Sequence, residues 1–179
     1  MEICDVLNLS EPFNSIPNAV LNKIGAIAEL VTYKKGAVVY KEGDEADAIY
    51  VILSGKVSRT ISPPISYITE EKFHQANDVV GWVSLFQDMP YGLETRICTL
   101  VCVEDSAQIK IDSRKFEALL EGEGEVRVML RERHAGSIAD SLMLPGGAVG
   151  FTYRGNKKIP VFVPNWRVNQ LLNNNRFPH

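Results

Sequence analysis

The sequence predicts a mainly β protein with helices at both ends of the chain. Between residues 31 and 61, short runs of β-branched and aromatic residues are separated by the turn glycines Gly36, Gly43 and Gly55. Short strands with turn signals about 8–12 residues apart are typical of an antiparallel sandwich or barrel. The segments before this region and after residue 112 instead repeat their apolar residues at helical spacing.

The N-terminal helix is predicted over residues 16–30. Pro17 suits its first turn and Ser15 could cap it. The helix is amphipathic, so we expect one face to be buried. The apolar residues at helical spacing are Val20, Leu21, Ile24, Ile27, Ala28 and Leu30.

The second half of the β region contains RICTLVCVEDSAQIKID, residues 96–112, which predicts two strands joined by an acidic turn. Cys98 and Cys102 lie an even number of residues apart, so on a strand they would face the same side. The chain has three cysteines and no CxxC pair. We therefore expect buried, reduced thiols, with a redox pair or a metal site as the alternative. Lys56 and Arg59 are three apart on an earlier strand, so they would face opposite sides, and both are expected to be solvated.

Two helices are predicted after the β region. SRKFEALL, residues 113–120, has an apolar face and a capping candidate in Ser113. A longer helix is expected over residues 123–143, and the Pro-Gly-Gly that follows would end it. Residues 151–164 then predict either a hairpin around Gly155-Asn156 or a single extended strand.

Composition excludes several functional classes. The net charge is −3, from 19 basic and 22 acidic residues, which disfavours non-specific nucleic-acid binding. No apolar run has the length of a membrane span, and no signal peptide is evident, so a cytoplasmic protein without membrane contact is expected. The three histidines are far apart and no nucleophile elbow is present. We therefore predict no catalytic residues, no metal site, no cofactor and no enzymatic activity.

Three stretches taken together resemble a known family. They are KKGAVVYKEGDEADAIYVILSGKVSRT, DVVGWVSL and RICTLVCVEDSAQIKIDSRKFEALL. The first has the turn and strand pattern, the second the loop, and the third the Arg-containing strand, acidic turn and closing helix of cyclic nucleotide-binding domains of the Crp/Fnr effector type. The resemblance covers roughly residues 8–142.

The resemblance implies the fold more closely. It implies a double-stranded β-helix, or jelly roll, of about eight strands with one N-terminal helix and two C-terminal helices. Residues 1–143 would form this domain. Residues 144–179 would be a C-terminal tail without a recognisable DNA-binding domain, since the 36 residues after Met143 are few and interrupted by prolines.

The resemblance also implies a binding site. In this family a helix N-terminus and one arginine hold a cyclic phosphate, and a carboxylate accepts a hydrogen bond from the ribose. Arg96 matches the arginine, although the loop from Trp82 to Arg96 is longer than usual. The alternative for Arg96 is an edge-strand arginine, solvated or paired with Glu94. The ligand-binding residues implied are Gly81, Trp82, Val83, Ser84, Arg96, Ile97 and Cys98.

Trp82 departs from the family pattern because it stands where a Glu is usual. An indole offers only an N–H donor, so it cannot replace the carboxylate. Trp82 therefore either fills part of the pocket or stacks on a flat ligand. Glu94 is an alternative source of the missing carboxylate.

Two functional interpretations follow. The first is a regulatory module that binds a cyclic nucleotide or another small anionic ligand and signals through its C-terminal helix. The alternative is a degenerate domain that binds no ligand and acts as a protein-interaction or scaffold module, with an unknown protein partner. Helix 123–143 resembles the family's dimer helix, so it forms a homodimer or lies against the barrel. Direct DNA binding is not expected.

Overall fold

The computed structural model describes residues 3–62, 69–82, 85–86, 94–144, 146–154, 157–167 and 169. Within them, helices lie at both ends of a β-roll, as the sequence predicts. Among the described residues no helix is long and apolar enough to cross a membrane.

The N-terminal region is more divided than the single helix predicted. Helix α1 spans Ile3–Leu7, a 3-10 turn spans Phe13–Ser15, and helix α2 spans Asn18–Ile27. Pro17 occupies the N-cap position of α2 without a side-chain hydrogen bond, so Ser15 does not cap it. The helix also ends before residue 30, because the next residues pair with a later strand. Leu30, predicted on the buried helical face, is 63% exposed.

Eight strands form two four-stranded antiparallel sheets in a jelly roll, as predicted. The first sheet has the order β1-β8-β3-β6 and the second β2-β7-β4-β5. Residues 99–102 and 106–112 are two separate strands, which confirms the predicted turn between them. The strand bounds are β1 Ala28–Tyr33, β2 Val38–Tyr40, β3 Ala48–Ser54, β4 Val57–Ile61, β5 Glu70–His74, β6 Val79–Val80, β7 Thr99–Cys102 and β8 Ser106–Asp112.

The two faces of the first sheet contribute to two separate apolar clusters. The outer cluster lies between this sheet and the helices, and includes Phe13, Ile24, Ile109 and Phe116. The inner cluster fills the interior of the roll between the two sheets. Alternate residues of β3 divide between the clusters because successive side chains of a strand point to opposite faces. The inner cluster comprises Tyr40, Ala48, Tyr50, Ile52, Val57, Ile61, Val80, Ile97, Cys98, Leu100, Cys102 and Val149.

The two C-terminal helices lie close to their predicted positions. Helix α3 spans Ser113–Glu121 and helix α4 spans Gly124–Leu142. The N-cap of α3 is Asp112 rather than Ser113, because the Asp112 side chain accepts a hydrogen bond from the Lys115 backbone N–H. One face of α4 packs on the domain, since Val126 and Leu130 are buried.

The segment after α4 forms the hairpin that was one of two predicted alternatives. Strands β10, Gly147–Arg154, and β11, Lys157–Pro164, pair with Arg154 opposite Lys157. The short strand β9, Met143–Leu144, completes a three-stranded sheet with them. Val149 joins the inner cluster and Phe162 packs against it. The hairpin therefore contacts the interior of the roll.

Candidate ligand site

The cassette, defined here as residues 81–86, begins at a glycine that no other residue could replace without strain. Gly81 follows β6 and has a φ of 85°, in the left-handed region. A Cβ at this position would lie 2.9 Å from Arg96 Nη1 and 3.0 Å from the Ala48 carbonyl oxygen. The backbone of the cassette thus passes directly against the arginine that the resemblance assigned to phosphate binding.

Arg96 is held in the interior by acceptors from two parts of the fold. Its side chain is only 1% exposed. Nη2 donates to the Ala48 carbonyl oxygen at 2.6 Å and to Asp47 Oδ1 at 3.2 Å, and Nη1 donates to the Gly81 carbonyl oxygen at 3.3 Å. The alternative of an edge-strand arginine that is solvated or paired with Glu94 is therefore wrong, because the side chain of Arg96 is buried against Ala48 at the start of β3 and against Gly81 of the cassette.

The positive charge of Arg96 is only partly balanced. Its guanidinium carbon lies 4.3 Å from the centroid of the Tyr40 ring, a cation–π contact. Two of its three acceptors are neutral carbonyls, and the carboxylate of Asp47 is 51% exposed and also lies near Lys110. Arg96 Nε is buried and has no hydrogen-bond partner among the described residues. The arrangement leaves a buried cation able to bind an anion more strongly than it binds carbonyls.

The Trp82 side chain lies on the helical side of the first sheet and packs against the outer cluster. The ring stacks on Phe13 with a centroid distance of 5.8 Å and meets the edge of His134 at 5.7 Å. Both predicted roles for the ring, a plug in the pocket or a base-stacking surface, required it to point into the roll. The ring instead connects the cassette to the helices.

The backbone of Trp82 is bonded to helix α4. Its carbonyl oxygen accepts one hydrogen bond from the Leu85 N–H at 2.9 Å and a second from His134 Nε2 at 2.7 Å. His134 is completely buried, and this burial lowers the pKa of its imidazole. Because a carbonyl only accepts, the neutral ring carries its proton on Nε2. Nδ1 is buried without a partner among the described residues.

The end of the cassette is attached to both C-terminal helices. Phe86 has a φ of 54°, and its N–H donates to Glu117 Oε1 of α3 at 2.7 Å. Its ring is buried, meets His134 edge-on at 5.4 Å and lies under the Arg131 guanidinium of α4. A movement of the cassette therefore changes contacts on α3 and α4 together.

A cavity of about 180 Å³ adjoins the contact between Trp82 and His134. Glu11, Pro12 and Arg133 complete its lining. Tightly packed interiors resist displacement, whereas side chains beside a void have room to move. This side of the Trp82 ring therefore has space for a second position.

The predicted ligand-binding residues occupy different environments. Gly81 and Arg96 are in direct proximity, and Ile97 and Cys98 are buried in the inner cluster. Trp82 lies on the opposite side of the sheet, and Val83 and Ser84 fall outside the described residues. Burial raises the pKa of the Cys98 thiol, and none of the three cysteines forms a disulfide among the described residues.

Sequence reasoning missed two important partners of the cassette. Asp47 stands in the stretch EGDEADAIY and pairs with Arg96 across 49 positions of sequence. His134 continues the buried stripe of Val126 and Leu130 at a spacing of four, which is the signal that could have placed it on the packed face of α4. Within the described part of the chain, no group of three potential ligands could hold a metal ion.

The model of the cyclic nucleotide-binding domain matches residues 30–123, which is more than half of the chain. The chain belongs to the cyclic nucleotide-binding domain family. The matched region runs from β1 to the turn after α3, so it includes both sheets, the cassette and Arg96.

Solved structures confirm the fold of this cyclic nucleotide-binding domain. A putative cyclic nucleotide-binding protein from Geobacter metallireducens is similar with a TM-score of 0.64 and 20% identity, covering 80% of this chain and 100% of that one. The regulatory domain of Toxoplasma gondii PKA, solved with cAMP, gives a TM-score of 0.62 and 18% identity, covering 75% of this chain and 49% of that one. The N-terminal domain of a transcriptional regulator from Streptomyces coelicolor gives a TM-score of 0.61 and 22% identity, covering 76% of this chain and 94% of that one.

Curated relatives of this cyclic nucleotide-binding domain are much longer proteins. The lysophospholipase nte1 of Aspergillus oryzae is 25% identical over 169 residues, which is 93% of this chain and 11% of that protein. The lysophospholipase nte1 of Aspergillus fumigatus is 24% identical over 140 residues, or 78% of this chain and 9% of that protein. The chain thus spans about a tenth of the length of these relatives.

Proposed function

We propose that this domain is a regulatory sensor that binds a cyclic nucleotide or another small anionic ligand and transmits binding through helix α4. The observation that carries the proposal is the buried guanidinium of Arg96, which is hydrogen-bonded to the carbonyl oxygen of Gly81 at the start of the cassette. A ligand that attracts Arg96 therefore acts directly on the cassette. No catalytic role and no direct contact with DNA are part of this proposal.

The first step is a competition for Arg96. Charge-assisted hydrogen bonds from a guanidinium to a phosphate are roughly twice as strong as bonds to neutral acceptors. An anionic ligand would therefore draw Arg96 from the carbonyls of Ala48 and Gly81 while Asp47 continues to orient the guanidinium. Removing the Nη1 bond releases the Gly81 carbonyl from Arg96, and the proposal is that the cassette then shifts.

The second step carries this shift to the helices. Trp82 follows Gly81, and its carbonyl is the acceptor for His134 Nε2. Because Phe86 also contacts His134, both ends of the cassette contact the same residue of α4. A ligand changes the position of α4 only if it binds the two arrangements with different affinity.

The position of Trp82 bears on the identity of the ligand. The resemblance places Trp82 where the family has a carboxylate, and the indole packs on Phe13 on the other side of the sheet, so residue 82 offers the ribose hydroxyl no side-chain acceptor. The proposed ligand is therefore selected mainly by its negative charge.

The test is a titration read from Trp82 itself. The chain has two tryptophans, so Trp166→Phe removes the exposed one and leaves Trp82 as the reporter. We expect cyclic AMP or cyclic GMP to change the Trp82 emission in a saturable manner and to raise the melting temperature with increasing dose. Arg96→Lys should weaken both responses, because a lysine lacks the planar fork of donors.

A matched control shows whether the weakened response comes from Arg96 itself or from any exchange of arginine for lysine. Arg114→Lys makes the same exchange at an exposed arginine that pairs with Glu45, and should leave the titration as it is in the parent. No response to either nucleotide at millimolar concentration in the Trp166→Phe parent would overturn the proposal for cyclic nucleotides. That result would favour the alternative of a domain that binds no ligand.

Transmission through α4 is tested by amide hydrogen exchange. Saturating ligand should change the hydrogen-exchange rates of α4 amides in the parent protein. In His134→Leu, compared at the same fraction of bound protein, this change should be smaller. If α4 exchanges identically with and without saturating ligand, the route through His134 is wrong.

The alternative function is a protein-interaction module without a ligand. The observation in its favour is that Arg96 already has three internal acceptors. Similarity to about a tenth of each fungal lysophospholipase supports a module that acts together with a larger effector in either case.

The homodimer through residues 123–143 stays a prediction. Val128 is 58% exposed on α4, on the side away from the packed face, and is the apolar residue a second copy would cover. Sedimentation of the parent and of Val128→Glu tests it, with loss of a dimer expected in the variant.

A further inference from the structure

The inner face of the second sheet carries an arginine where the neighbouring residues are apolar. Val57 and Ile61 of β4 are fully buried in the inner cluster. Arg59 is two residues from each of them, and residues two apart on a strand share a face, so Arg59 faces the interior of the roll. The sequence predicted a solvated Arg59; the side chain is instead half-buried, because this strand lies between β7 and β5 in the sheet.

Strand register places two further basic residues on this face at the edge strand β5, the half-buried His74 and the exposed Lys72. Arg59 is directly opposite Lys72 of β5, and Val57 is directly opposite His74. Directly opposed residues of an antiparallel pair project to the same side of the sheet. We refer to Arg59, Lys72 and His74 as the basic cluster.

The positive charge of the basic cluster is only partly balanced among the described residues, where Asp78 is the one carboxylate within 4 Å of it. Like charges directly opposite each other on a sheet destabilise it. Neither Arg59 nor Lys72 forms an ion pair in that part of the chain, and His74 reaches a carboxylate only through Nδ1, 3.5 Å from Asp78. Arg59 Nε and His74 Nε2 are both buried without a described hydrogen-bond partner. These donors are thus oriented toward the interior with no described acceptor.

The basic cluster is close to the Arg96 site. Arg59 is opposite Leu100 of β7, and Cys98 is two residues before Leu100. Burial raises the pKa of the Cys98 thiol most strongly; Arg59 and Arg96 both lower it, and the Glu42 carboxylate makes a smaller raising contribution. Arg96 and Arg59 also lower the pKa of the Tyr40 hydroxyl, which burial raises well above its ordinary value. The two guanidinium groups therefore flank the same part of the interior.

We propose that the basic cluster is a second anion-binding subsite and that the ligand of this domain carries at least two acidic groups, one for Arg96 and one for Arg59, Lys72 and His74. This inference rests on the proposed function, because it assumes an anionic ligand inside the roll. A ligand with a single charge satisfies Arg96 and leaves the basic cluster uncompensated.

His74 makes the affinity dependent on pH. Burial and the neighbouring Arg59 lower the pKa of its imidazole, whereas Asp78 opposes this effect and Lys72 adds to it. These are the charged groups that face it from β4, from its own strand and from the turn after it. When no anion is present, the folded ring therefore loses its proton more readily than a free histidine does. An anion at Nε2 favours the protonated ring, so binding takes up a proton and strengthens as the pH falls toward about 6.

The test compares inorganic pyrophosphate, which carries several charges, with cyclic AMP, which carries one. Binding is measured calorimetrically on the full chain and on Arg59→Val and Lys72→Thr. We expect pyrophosphate to bind the full chain and each substitution to weaken it at least tenfold. Lys56→Thr is the matched control, because Lys56 lies on the opposite face over the Phe73 ring and should retain the affinity of the parent.

A second readout shows that the variants remain folded. Removing the charge opposed to Lys72 should leave the melting temperature of the unliganded Arg59→Val protein equal to or above that of the parent. A melting temperature well below the parent would mean that Arg59 is structural, and would overturn the inference.

The outcomes also separate this inference from the proposed function. If cyclic AMP binds in an Arg96-dependent manner but pyrophosphate does not bind, or binds equally to Arg59→Val and Lys56→Thr, the second subsite is wrong and the sensor function stands. If neither compound binds, the second subsite is wrong and so is the sensor function for cyclic nucleotides.

Discussion

The Nε2 atom of His134 lies 2.7 Å from the carbonyl oxygen of Trp82, which joins helix α4 directly to the backbone of the cassette. The imidazole also meets the rings of Trp82 and Phe86 edge-on. One buried side chain therefore contacts both ends of the described cassette. This contact gives the fold a direct route from Arg96 to its C-terminal helix.

Replacing His134 should show how much this junction stabilises the domain. His134→Leu removes the donor and two edge-to-face ring contacts, so the free energy of unfolding should fall by about 1–3 kcal/mol. His134→Gln retains an N–H donor near the position of Nε2, so its free energy of unfolding should fall by less. Urea denaturation measures both, and equal stability of the two variants would contradict a role for the hydrogen bond.

The same histidine should make stability depend on pH. Burial lowers the pKa of His134 in the folded state, so below about pH 6.5 the unfolded state binds more protons. Stability from this group is present above that pH and is lost as the pH falls toward the folded pKa, at no more than about 1.4 kcal/mol per pH unit. Because His74 shifts in the same direction, the measured quantity is the difference between the parent and His134→Gln. A difference that stays constant between about pH 7 and pH 5 would contradict this prediction.

Gly81→Ala should destabilise the domain more than Gly36→Ala does. Both glycines have a φ of 85°, so both substitutions carry the cost of a left-handed residue, about 1–2 kcal/mol. A Cβ at residue 36 meets no atom within 4 Å, whereas one at residue 81 approaches Arg96 Nη1 to 2.9 Å. The excess loss in Gly81→Ala, measured by denaturation, reports the packing of Arg96 on the cassette. Equal losses would mean that Arg96 is free to move away.

The cap of helix α3 offers a local test of the fold. The carboxylate of Asp112 accepts the Lys115 N–H at 2.8 Å, so Asp112→Ala should reduce the free energy of unfolding by about 1 kcal/mol. Asp112→Asn keeps an acceptor oxygen and should lose much less. If Asn is as costly as Ala, the stabilising contribution of Asp112 is not capping.

Local patterns in the sequence predicted the elements well. The bounds of α3 and α4, the turn between β7 and β8 and the shared face of Cys98 and Cys102 depend on periodicity and turn residues within a few positions. The same reasoning was wrong at Leu30, because the pairing of β1 with β8 ended the helix earlier than its apolar spacing predicted. Tertiary pairing outweighed local propensity there.

The sequence by itself determined the order of helices and strands, the glycine at the cassette and an arginine after it. Only the tertiary structure decided that Arg96 bonds to Ala48 and Gly81, that Trp82 faces Phe13 and His134, and that Arg59 lies directly opposite Lys72. The physical reason is the range of the interactions. Periodicity and turn chemistry act between near neighbours, whereas strand register and helix packing join residues that are far apart in the chain.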